Sequence, residues 1–115
     1  MFSFMDLIEI LARRADAHAR DAAAIRAQAQ AVRERMAASE AIATWMEREA
    51  DALGSDPEAA LLHRRVEVIR IEIATMAREA VRYDVEANRA DAQAEKVADQ
   101  VETLEQSRRN AFVHH

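Results

Sequence analysis

The sequence predicts an all-α fold, a long antiparallel two-helix coiled-coil hairpin, and three observations carry that expectation. The 115 residues include one Gly and one Pro, only three positions apart, whereas a sandwich, barrel or doubly wound sheet needs turn residues every ten or so positions. Strong helix formers dominate, while aromatics make up 4% of the chain, too few for an ordinary globular core. Apolar residues also recur at alternating steps of three and four over almost the whole length, the period of a helix that packs along one stripe. Such a length accommodates one domain at most.

The first helix is expected over about 4–53. Ser3, with Asp6 three residues later, supplies an N-cap. The only punctuation follows in Leu53-Gly54-Ser55-Asp56-Pro57-Glu58. Gly54 suits the left-handed position that closes a helix, Asp56 can cap the next one, and Pro57 stands at a first helical position, where its missing N–H costs nothing. Ser55 and Glu58 offer a competing capping box, so the boundary is set to within about one residue. The turn therefore covers 54–56 and the second helix about 57–109. At 1.5 Å per residue each helix is ~75 Å long.

In helix 1 the seam reads Phe4, Ile8, Leu11, Ala15, His18, Ala22, Ile25, Ala29, Val32, Met36, Ser39, Ala43, Met46, Ala50, Leu53. Thirteen of these fifteen are apolar in a chain whose hydrophobic content is 50%. The helix 2 seam reads Ala59, Leu62, Val66, Ile69, Ile73, Met76, Ala80, Tyr83, Ala87, Ala90, Ala94, Val97, Val101, Leu104, and all fourteen are apolar. A sustained 3.5-residue period predicts a left-handed coiled coil.

A three-residue loop folds helix 2 back antiparallel, and matching the seams pairs residues whose numbers sum to about 112. Met46 then lies by Val66, Val32 by Ala80, Ala29 by Tyr83 and Ile25 by Ala87. With heptad positions lettered a to g and the seam at a and d, e faces e and g faces g in an antiparallel pair. That register sets Arg26 against Asp84, Glu40 against Arg70, Arg35 against Glu79 and Glu49 against Arg65, all attractive. The same hairpin can also form by exchange between two chains. From Ala15 to Ala29 and from Ala80 to Ala94 the seam is mostly Ala. Little apolar area leaves water there, so this stretch is expected to be the weakest.

A hairpin that worked alone would be polar outside its seam. Here Ile42 and Trp45 lie outside it on the g side of helix 1, continued at seven-residue spacing by Ala38, Ala31, Ala24, Ala17 and Ile10. On the same side of helix 2 lie Leu61 and Val68, with Ile71 one position further round. Ile42, Trp45, Leu61 and Val68 are expected to converge near the loop end. A Trp-centred apolar patch marks a protein–protein site: half the interface of a homodimeric four-helix bundle, or the docking surface of a different protein. The apolar N-terminal stretch Phe2, Phe4, Met5, Leu7, Ile8, Ile10, Leu11 is expected to pack on helix 2 near Leu104 and Phe112, or on a second chain. Its polar residues, Asp6 and Glu9, are the wrong sign for a membrane-surface helix.

Enzymatic chemistry fails on inventory, and no catalytic, cofactor-binding or metal-ligating residue is assigned. There is no Glu-x-x-His, no His-Glu-x-x-His, no Gly-rich phosphate loop and no Cys. His18 falls in the seam opposite Ala94, bonded to Asp21 or Asp91 as a core histidine. The sharper reading is a pH-sensitive seam position, whose protonation would loosen the Ala-rich stretch. His63 is expected opposite Glu47 and paired with Glu67, as a surface group. His114 and His115 read as adventitious metal binders or the remnant of a purification tag. Ser39 faces Ile73 and can return its hydroxyl to the carbonyl one turn back. Tyr83 is expected to bury its ring with the hydroxyl reaching solvent or a charged neighbour.

The start of the chain, with no basic leader and with Asp6 and Glu9 inside its apolar stretch, does not read as a secretory signal. No uncharged run exceeds six residues, against the ~20 of a bilayer span. A cytoplasmic setting is expected. A net charge of −5, with 15 of 16 basic residues being Arg interleaved with acids, argues against direct nucleic-acid binding. Heavy Ala and Arg usage matches a GC-rich bacterial or phage source. In length, hairpin outline and composition the chain resembles helical-hairpin chaperones and stalk proteins of bacterial secretion systems, and small phage-encoded helical inhibitors, though through no motif. The expected function is a small adaptor, chaperone or inhibitor that binds a partner protein by helix–helix packing and dimerises. One alternative is a scaffolding rod whose length is its function. Another is an acidic decoy of a nucleic-acid site, built on Asp84, Glu86, Asp91, Glu95, Asp99, Glu102 and Glu105.

Overall fold

A computed structural model describes residues 3–113. Two helices account for nearly all of them: α1, Phe4–Leu53, and α2, Pro57–Val113. Helix α1 has the expected bounds, while α2 runs on past the expected end at about 109 to Val113. The sequence Gln106 to Val113 holds no Gly or Pro to stop it. Phe2, His114 and His115, each given a role in the sequence reading, lie outside the described residues.

The helix ends form by local chemistry. At the start of α1 the Asp6 N–H donates to Ser3 Oγ and the Ser3 N–H donates to Asp6 Oδ2, both at 3.1 Å. This reciprocal box satisfies two of the donors that a helix start leaves open. At the turn, Gly54 adopts φ +60°, the left-handed region that side chains with a Cβ rarely enter. Asp56 Oδ1 accepts the Glu58 N–H at 2.9 Å, so Asp56 caps α2 and Pro57 takes its first position. The competing Ser55–Glu58 box is not made: Asp56 has already taken the Glu58 N–H.

The chain divides into two compact units, one of Ala27–Asp84 and one of residues up to Arg26 together with those from Val85 on. The unit Ala27–Asp84 is an antiparallel helical hairpin, whose two arms of near-equal length join through the turn. In the other unit the start of α1 lies antiparallel to the end of α2, with Arg26 bonded to Asp91 and Arg108 reaching the Met5 sulfur. The division falls within the Ala-rich stretches of both seams.

Among the described residues ten are buried, Ile8, Ala22, Ala29, Val32, Ala43, Ala50, Ala59, Val66, Ala80 and Ala87, and all stand at predicted seam positions. The rest of the seam is half-buried, except Phe4 and Leu53 at the ends of α1. No polar or charged side chain among the described residues is fully buried. Seven of the ten are Ala, so the helices close over small side chains and the seam holds by length more than by bulk.

Candidate protein-interaction face

The two flanks of the seam differ. The e flank is zipped by ion pairs. In the hairpin unit Arg33 binds Asp84, and Arg70 donates to Glu40 at 2.9 Å and to Glu47 at 2.9 Å. In the other unit Arg26 binds Asp91 and also donates to Asn88 Oδ1 at 3.3 Å. The expected Glu40–Arg70 pair is thus formed. Asp84 is engaged by Arg33, Asp91 by Arg26, and Arg70 reaches Glu47 as well as Glu40. Glu40 and Glu47 stand one heptad apart on α1, and the long guanidinium arm lies between them and serves both.

The hydrogen bonds that Asp84 accepts from Arg33, and that Glu40 and Glu47 accept from Arg70, push both guanidinium pKa values further up. A raised value on a cation means that its stabilisation is complete below the ordinary guanidinium range and is lost only as pH climbs through the raised value. Both arginines therefore stay charged across the neutral range.

The g flank of the hairpin unit is not zipped. Neither expected pair, Arg35–Glu79 or Glu49–Arg65, is formed among the described residues. Glu79 instead accepts the Tyr83 hydroxyl at 3.2 Å, which meets the expectation that Tyr83 would reach a charged neighbour. Its ring is half-buried in the seam. Arg35, Glu49, Arg65 and Glu72 all remain exposed.

Ile42, Trp45, Leu61, Val68 and Ile71 belong to this unit and are 49% to 67% exposed. The zip on the other flank sets their level. Arg70, between Val68 and Ile71, binds Glu40 and Glu47, which bracket Ile42 and Trp45. Four of the five thus stand at one height of the hairpin. Val68 also borders an open hollow of about 320 Å³ with Arg64, Arg65 and Ile69. Val81 in this unit and Val85 in the other are exposed too. The sequence reading missed both because they lie off the columns followed there, although a scan for apolar residues outside the seam would have found them.

In the other unit, Leu11 and Leu104 line one hollow, and Phe4, Met5, Arg108, Ala111 and Phe112 line a groove of about 660 Å³. The N-terminal stretch thus meets α2 where expected. Phe112 itself stays exposed.

The histidines and Ser39 differ from expectation. His18 is half-buried in the seam but bonds to neither Asp21 nor Asp91, the latter being held by Arg26. His63 is exposed and pairs with neither Glu47 nor Glu67, because Arg70 takes Glu47. Ser39 is half-buried and makes no back-bond. Thr75 and Thr103 make that bond instead, to Ile71 and Asp99 at 3.1 and 2.9 Å. Among the described residues, no three or more His, Asp or Glu gather as metal ligands, and no helix is long and apolar enough to cross a membrane.

No family model, curated protein or solved structure matches the chain.

Proposed function

We propose that the chain is a non-catalytic interaction module, a helical-hairpin adaptor, chaperone or inhibitor that works in the cytoplasm. It binds a partner protein by laying helix against helix over Ile42, Trp45, Leu61, Val68 and Ile71. One observation carries the reading: the large apolar side chains are exposed on the flank where the arms exchange no ion pair, and the opposite flank is closed by Arg33 and Arg70. Apolar area of this kind costs free energy in water until something covers it. An exposed Trp with exposed aliphatic residues on the same flank is the composition of an interface centre.

The test is capture of proteins from the source cell by the full chain and by the Trp45→Ala variant, with helicity followed by circular dichroism. The proposal expects a captured protein that the variant loses at unchanged helicity. Identical capture by both forms would remove Trp45 from any interface and the proposal with it.

A further inference from the structure

Resting on that reading of the face, we infer that its occupant is a second copy of this chain, docked antiparallel about a two-fold axis at Ile42. An isologous interface must be complementary to itself, so charges at equal distances on either side of the axis must be opposite in sign. The exposed flank of α1 meets that condition. Arg35 and Glu49 occupy the same helical column as Ile42, seven residues to either side of it, and neither has an ion-pair partner among the described residues. Turned about Ile42, each copy's Arg35 comes to the other's Glu49. The adjacent column carries Ala38 and Trp45, four residues before Ile42 and three after it, so each indole comes over the other copy's small residue. Ala31 and Ala52, further out on that column, leave room for close approach of the helices.

On α2 the pattern recurs at the same height. Arg65 and Glu72, both exposed and without an ion pair among the described residues, bracket Val68 with opposite signs. One axis can therefore serve both arms. The Arg70–Glu40 and Arg70–Glu47 pairs, which fix α1 against α2 at this level, lie on the far flank and stay intact in the dimer. An unrelated partner would impose no such symmetry on Arg35, Ile42 and Glu49.

Analytical ultracentrifugation of the full chain, with circular dichroism on every variant, provides the test. A dimer is expected, with Trp45→Ala weakening self-association by about 30-fold or more. Arg35→Glu and Glu49→Arg should each weaken it by about 3- to 10-fold, and the double reversal should restore it, because the two side chains meet only across the axis. The Ile42→Cys variant, in a chain that has no other Cys, should cross-link to itself on mild oxidation. A chain that stays monomeric across the accessible concentrations overturns the inference. So does a dimer in which the double reversal fails to restore association and Ile42→Cys does not cross-link. A monomer that still captures a different protein through Trp45 would leave the proposed function standing and remove only self-association.

Discussion

At the residue scale, stability is concentrated where a single backbone conformation or cap has no substitute. Gly54 sits at φ +60° with nothing within 4 Å of where a Cβ would stand, so the cost of a side chain there is backbone strain and not collision. Gly54→Ala should lower unfolding free energy by about 1 kcal/mol, and Gly54→Asn by less, because Asn enters the left-handed region more readily. Asp56→Ala should cost about 1 kcal/mol by stripping the cap from the Glu58 N–H. Ser55→Ala should be close to neutral, since the Ser55–Glu58 box is not made. Urea denaturation of the four variants checks the ordering. Both boundaries were legible in the sequence because caps and left-handed glycines are read within three residues of chain. The bonding of His18 and Ser39 was not legible. Whether a half-buried polar side chain finds a partner depends on neighbours brought from the other helix, and Arg26 had already claimed Asp91.

At the scale of the helix, the seam is long but shallow. Val32 is the largest side chain with full burial, at 2% exposure. Val32→Ala removes two methyl groups from a fully buried seam position, so a loss of about 2 kcal/mol is expected by thermal or urea unfolding. The flank zip behaves differently. Arg70 carries two carboxylates on one guanidinium, so Arg70→Ala should lower the melting temperature at low salt, and the difference from wild type should shrink at high salt as screening weakens the pairs. Arg65→Ala, on the unzipped flank, should show no such salt dependence within the monomer. Heptad spacing predicted attraction across the e flank correctly but could not choose among acids a heptad apart. Arg70 lies within reach of both Glu40 and Glu47, and the long, flexible side chain makes that choice.

For the whole molecule, the expected consequence is association. A face that holds Trp45, Ile42, Leu61, Val68 and Ile71 in water adds an apolar penalty to every free copy. Replacing Trp45 and Val68 together by Ser should raise solubility and abolish self-association while helicity is kept, as checked by light scattering and circular dichroism. Loss of helicity in that variant would mean that the face supports the fold itself. The sequence alone determined the two helices, their caps, the turn and the buried stripe, because each depends on local conformational preference or on a period that repeats along one strand of chain. Only the tertiary structure decided which flank is tied and which is left open. That choice turns on how far each arginine extends and which of several nearby carboxylates it meets first, and spacing along the chain encodes charge sign without encoding reach.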